Sequence, residues 1–95
     1  MRKIKINYSD FKKAVREVSE CDSGWNIYID LNDGEIGCKH NSSCGESWLM
    51  LINGCNVDAD TDTSDENIDG VFGIEHIEDA VEEATCGVVE VEVEQ

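Results

Sequence analysis

The sequence predicts an α+β fold with one mostly antiparallel sheet of about six strands and two helices, in the order βαββββαβ, forming a single domain over residues 1–95. Three observations predict it. Apolar and polar residues alternate near both ends of the chain, in "RKIKINY" and "VVEVEVEQ", which is the period of half-buried strands. Apolar residues recur at helical spacing in two other segments. The dipeptides Asp33-Gly34 and Asn53-Gly54 each follow an apolar run, where tight hairpin turns are expected.

Taken in order, Ile4, Ile6 and Tyr8 line one face of a first strand and Lys3, Lys5 and Asn7 the other. Ser9 is the expected N-cap of a helix over residues 10–20, whose buried stripe is Phe11, Ala14, Val15 and Val18. "WNIYIDL" and "EIGCKH" form a hairpin around Asp33-Gly34, and "SWLMLI" is a buried strand ended by Asn53-Gly54. After that turn, Cys55, Val57 and Ala59 alternate with Asn56, Asp58 and Asp60, which predicts a returning acidic strand over 55–60. "TSDENIDGVFG" then reads as a loop. Ile77, Ala80, Val81 and Ala84 mark a second helix over about 74–85 with Gly87 as its stop, and Val89, Val91 and Val93 face inward from the last strand.

Charge is the dominant feature of composition. The chain has 22 acidic and 7 basic residues, a formal net charge of -15. Arg2, Lys3, Lys5, Lys12, Lys13, Arg16 and Lys39 all precede residue 40, whereas Trp48 to Gln95 carries 14 acidic residues and no basic one. Such a field repels nucleic acid and anionic membrane and attracts basic protein surfaces. No apolar run approaches the roughly 18 residues of a membrane helix, and the amino terminus lacks the apolar core of a signal peptide, so a cytoplasmic protein is expected. Cys21, Cys38, Cys44, Cys55 and Cys86 form an odd set without doublet spacing, which reads as reduced thiols.

Three chemistries have candidate residues in the chain. Asp65, Asn67 and Asp69, with Gly70 sixth and Phe72 eighth, match the opening of an EF-hand loop and make calcium binding the alternative function, with Glu75 as a further ligand. Counting from Asp65, however, the twelfth position is His76, and Glu75 falls one residue early. Cys38, His40 and Cys44, with Cys55 joining, offer zinc-type ligands without the usual closely spaced doublets. Cys44 near His40 lacks the base and orienting group of a nucleophilic site. Neither an enzyme nor a cofactor is expected.

The acidic surface remains. Asp58, Asp60 and Asp62 form one row, Glu90, Glu92 and Glu94 a second, and Glu75, Glu78, Asp79, Glu82 and Glu83 the outer face of the second helix. Alternate strand residues stand about 6.7 Å apart, a scale similar to successive phosphates, which advance about 3.4 Å along a strand's axis while winding around it. Lys3 and Lys5 are natural neighbours for Glu90, Glu92 and Glu94, which would make that row structural. The expected partner surface is therefore Asp58, Asp60, Asp62, Asp65, Glu66, Asp69, Glu75, Glu78, Asp79, Glu82 and Glu83. Trp25, Trp48, Tyr28 or Phe72 could anchor a partner if exposed, although Trp48 is expected in the core.

In size and charge the chain is similar to DNA-mimic inhibitors made by phages, including anti-CRISPR and anti-restriction proteins, and to the acidic immunity proteins of nuclease toxins. That similarity covers composition alone. It implies a monomeric or homodimeric inhibitor of a basic nucleic-acid-binding protein or nuclease complex, in the host-cell cytoplasm if phage-encoded, with no direct contact to nucleic acid or membrane.

Overall fold

The computed structural model describes residues 2–20, 25–40, 45, 47–57 and 60–94, with the backbone alone at 39 and 40. The elements run β1 (Arg2–Asn7), α1 (Tyr8–Ser19), β2 (Trp25–Asp30), β3 (Ile36–His40), β4 (Trp48–Ile52), a single 3-10 turn (Gly54–Asn56), α2 (Asp65–Val71), α3 (Ile74–Thr85) and β5 (Val89–Glu94).

The expected single sheet is not what forms. Among the described residues, five strands make two separate sheets, a parallel pair β1-β5 and an antiparallel sheet in the order β3-β2-β4. Two departures from expectation account for this. The far side of β1 meets a turn instead of a strand: the Arg2 guanidinium donates to the Leu31 carbonyl, and a Cβ on Gly34 would lie only 2.1 Å from the Lys5 carbonyl oxygen. The hairpin turn between β2 and β3 thus abuts β1 where a further strand would have to pair.

The second departure is at Asn53-Gly54. A tight type I′ turn needs positive φ at both central residues, but Asn53 has φ -75° and Gly54 is not in the left-handed region. The Asn53 side chain instead accepts from the Cys55 N–H at 2.9 Å and starts the 3-10 turn. Among the described residues, no strand follows over 55–60. Gly54 is needed for close approach, since a Cβ there would sit 1.7 Å from the Trp25 carbonyl oxygen. Its N–H donates at 2.7 Å to Oδ1 of Asn26, a buried polar side chain whose Nδ2 donates to the Tyr28 hydroxyl. Burial of that amide is tolerated because both of its ends are bonded.

At Asp33-Gly34 the hairpin does form. Only Gly34 takes positive φ, +82°, and its N–H donates to the Asp30 carbonyl at 2.7 Å across a four-residue loop. β2 then pairs with β4 through an irregularity at Ile27/Tyr28, where Ile27 faces Ile52 and Tyr28 faces Met50. The extra residue, Leu51, is buried beside Ile52.

Helices α1 and α3 lie where periodicity places them. The cap of α1 is Asn7, not Ser9: extended Asn7 ends β1 and its Oδ1 accepts from the Asp10 N–H, so strand passes directly into helix. The stretch expected as a loop contains α2, capped by Ser64, whose Oγ accepts from the Asn67 N–H. α3 ends at Cys86 and Gly87, both left-handed.

One apolar cluster draws on both sheets and all three helices: Ile4 and Ile6 of β1, Phe11 and Val15 of α1, Ile27 and Ile29 of β2, Ile68 of α2, Ile77 and Val81 of α3, and Val91 of β5. Replacing Gly54 with Ala should destabilise the fold by about 1–3 kcal/mol, because backbone must move to admit the methyl. The check is the urea midpoint of G54A against the parent.

Candidate functional site

The cations of β1 and α1 set the pattern of free and compensated acids. β1 and β5 pair in parallel with Lys3 opposite Glu90, Lys5 opposite Glu92 and Asn7 opposite Glu94. The lysines and glutamates therefore share the outward face of this pair, as their opposite charges suggest. Lys5 Nζ lies 3.9 Å from Glu94 Oε1, with both side chains mostly exposed, so the contact lowers local repulsion more than it adds stability.

A second set joins α1 to α2. Tyr8, Lys12 and Arg16 recur every fourth residue along α1, and Asp65 and Asp69 do so along α2, so the two rows align. Arg16 Nη2 donates to Asp65 Oδ1 at 2.5 Å and its Nε to the Thr63 carbonyl at 3.1 Å. Lys12 Nζ stands 3.6 Å from Asp65 and 3.9 Å from Asp69, over the Tyr8 ring. The buried Tyr8 hydroxyl donates to Asp69 Oδ1 at 2.5 Å. Burial, this bond and the negative charges of Asp69 and Asp65 all raise the Tyr8 pKa. The Arg16 bond, then the Lys12 charge, hold the Asp65 carboxyl below its usual range, and bonding from Ser64 does the same for Asp62.

Asp65 and Asp69 thus brace α2 against α1. The fourfold spacing shared by Tyr8-Lys12-Arg16 and Asp65-Asp69 was the sequence signal for this contact, together with Ser64 and two first-turn acids as the signal for a helix. The calcium-like alternation is also resolved into helix. Asn67 projects about 200° around the axis from Asp65 and Asp69, and its Nδ2 donates back to the Asp62 carbonyl. Glu75 lies on α3. Among the described residues, no three His, Cys, Asp or Glu side chains are grouped to hold a metal. Of the zinc candidates, the Cys38 thiol donates to the Ala14 carbonyl and Cys55 is exposed, while Cys44 and the His40 side chain lie outside the described residues.

The third set is different. Glu75, Glu78, Asp79, Glu82 and Glu83 are all exposed on α3, and among the described residues no cation lies within ion-pair distance of any of them. Like charges three and four residues apart destabilise a helix, and Glu82 and Glu83 also oppose the dipole at its C-terminal end, where no basic residue stands. α3 is nonetheless held firmly, by Ile77 and Val81 in the core and by the His76 Nε2–H bond to the Leu51 carbonyl at 2.9 Å. Carboxylates four residues apart advance about 6 Å along it.

Two concavities flank this face. A cleft of about 550 Å³ is lined by Tyr8, Asp69, Glu75, His76 and Asp79 among others. A groove of about 320 Å³ runs between α3 and β5, lined by Glu78, Glu82, Gly87, Val89, Glu90 and Val91. Asp60, Asp62 and Glu66 are exposed, whereas Asp58 lies outside the described residues. Of the aromatic candidates, Trp25 is 37% exposed, Tyr28 is buried, Phe72 packs on the core, and Trp48 is half-buried and outside the main cluster. Among the described residues, no helix is long and apolar enough to cross a membrane. Compared with known proteins, the chain matches no family model, no curated protein and no solved structure.

Two outcomes follow from this geometry. Gly70 sits inside α2 with open space around its Cα, so Gly70→Ala should stabilise the fold by about 0.5–1 kcal/mol; unfolding by urea, with and without calcium, reads both the gain and the expected lack of a calcium effect. For Asp65, a folded pKa below the unfolded value means that stabilisation is present above the unfolded value, about 3.9, and is lost as pH falls through the folded one. The stability difference between the parent and Asp65→Asn should accordingly be present at neutral pH and vanish in acid, as measured by urea unfolding across pH.

Proposed function

We propose that this chain is a non-enzymatic inhibitor that binds a basic, nucleic-acid-handling protein and occupies its phosphate-contacting groove, in the manner of anti-CRISPR, anti-restriction or nuclease-immunity proteins. It acts in the cytoplasm, where such partners work. The observation that carries this reading is the uncompensated face of α3. Five carboxylates stand on one firmly packed helix at a cost to that helix, two of them against its dipole, while Asp65 and Asp69 of α2 and Glu94 of β5 have cations within ion-pair distance.

Solubility does not require this arrangement. A net charge of magnitude about 2–8 keeps a small domain soluble, and the chain carries -15. Clustered carboxylates speed the encounter with a basic groove, and Asp–Arg or Glu–Lys pairs that lose water on docking hold its register. Trp25, exposed at the start of β2, supplies an aromatic contact. The face narrows the binding surface from the eleven acids that the sequence nominates. α3 supplies Glu75, Glu78, Asp79, Glu82 and Glu83, and Asp65 and Asp69 serve the fold.

The test is displacement of labelled duplex DNA from a nuclease or CRISPR complex, followed by fluorescence anisotropy. Competition should weaken at least tenfold between about 50 and 200 mM salt. Lysine at Glu78, Asp79, Glu82 and Glu83 should abolish it with the fold intact, whereas Asp65→Asn should lower stability and leave competition by the folded protein within about threefold. Salt-insensitive competition, or competition that survives reversal of the α3 charges, counts against the reading.

A further inference from the structure

The geometry points to a specific docking mode: the open edge of β5 accepts an extended, lysine- or arginine-rich segment of the partner as a third strand of the β1-β5 sheet. This rests on the reading of the chain as a binder of basic proteins, and adds to it a backbone-directed site and the form of the segment that fills it.

The phase of the parallel ladder identifies the open groups. The Arg2 N–H donates to the Val88 carbonyl at 3.0 Å, and with Arg2 opposite Val89 this turns the backbone groups of Val88, Glu90, Glu92 and Glu94 towards β1. Those of Val89, Val91 and Val93 turn the other way. The Thr85 hydroxyl bonds the Val89 N–H at 3.3 Å. Among the described residues, β5 has β1 as its sole strand neighbour, so the Val89 carbonyl and the N–H and C=O of Val91 and Val93 face outward. A two-stranded sheet is the least self-sufficient kind, and this edge has no proline or bulge; its guard is the row of glutamates, which repels another acidic strand but not a basic one.

Charge selects the occupant. The groove beside the edge has Glu78 and Glu82 on its helical wall and Glu90 on the strand. The outward face of β5 continues with Glu92 and Glu94. A second copy of β5 laid along this edge would bring glutamate against glutamate, which disfavours self-pairing. A segment with basic residues at alternate positions instead meets Glu90 and Glu92 on one face, which among the described residues have no cation within ion-pair distance, whereas Glu94 already has Lys5. On the other face, a further basic residue at an intervening position would lay its aliphatic stem along Val89 and Val91 with its cation reaching Glu78 or Glu82. Val89 to Val93 spans about 13 Å, which suits a short strand. Strand addition of this kind takes affinity from main-chain bonds and specificity from alternate side chains.

The probe is an end-blocked octapeptide of alternating lysine and threonine, with two controls of equal charge, one N-methylated at the threonine amides and one at the lysine amides. Edge pairing uses one alternate set of peptide amides. It predicts that the parent peptide binds, that one control binds at least about tenfold more weakly, and that hydrogen exchange at Val91 and Val93 slows on binding while Glu90 and Glu92 are protected beforehand. No binding of the parent peptide, equal binding of all three, or unchanged exchange at Val91 and Val93 overturns the site. Equal binding that is lost on reversal of the α3 charges overturns strand addition while leaving the electrostatic function in place, so the two ideas fail separately.

Discussion

Six of the seven cations stand on β1 and α1 and none lies in the second half of the chain, so the acidic elements α2 and β5 draw their counter-charges from those two elements. That scarcity organises the molecule. β1 presents Lys3 and Lys5 beside the glutamates of β5, and α1 presents Lys12 and Arg16 to the aspartates of α2. The exposed pairs are individually weak. Their effect is to lower repulsion in the two places where the apolar cluster needs acidic elements close, Ile68 beside α1 and Val91 beside Ile4.

The apolar and polar arrangements reinforce each other. Tyr8 is buried with its hydroxyl on Asp69, so the base of the cluster is tied to the α1–α2 brace. Asn26 joins β2 to the 3-10 turn, its Oδ1 accepting from the Gly54 N–H while its Nδ2 donates to the Tyr28 hydroxyl. In a domain of this size, where burial is only just sufficient, such side-chain bonds help to select one packing over its competitors.

α3 lies outside that compensation. Its inner residues are as buried as any in the protein, while its outer residues crowd like charges together. A face that costs stability and is rigidly held fits recognition better than folding, and the unpaired edge of β5 beside it adds main-chain donors and acceptors to the same region. In the proposed binding mode, a charge pattern that is permissive about partners is joined to a strand edge that is demanding about the partner's backbone.

Much of this was legible from periodicity. Alternation in "RKIKINY" and "VVEVEVEQ" located β1 and β5, the stripes Phe11-Val15-Val18 and Ile77-Val81 located α1 and α3, and opposite charge suggested that Lys3 and Lys5 neighbour the β5 glutamates. The expected six-stranded sheet failed at Asn53-Gly54, because a glycine can serve either positive φ or close approach and a dipeptide does not say which. Here the Trp25 carbonyl decided. The stretch Thr63 to Gly73 reads as a loop in sequence, because aspartate is a poor strand former and ends the preceding alternation; Ile68 in the core and Arg16 and Lys12 on α1 make Asp65–Val71 a helix. The sequence by itself determined the buried stripe of α1, the Ile77 and Val81 anchors of α3, though not Ala84, which is exposed, and the strong acidity of the second half. Only tertiary structure decided which carboxylates are neutralised, since that depends on distances between segments nearly fifty residues apart, such as Arg16 and Asp65.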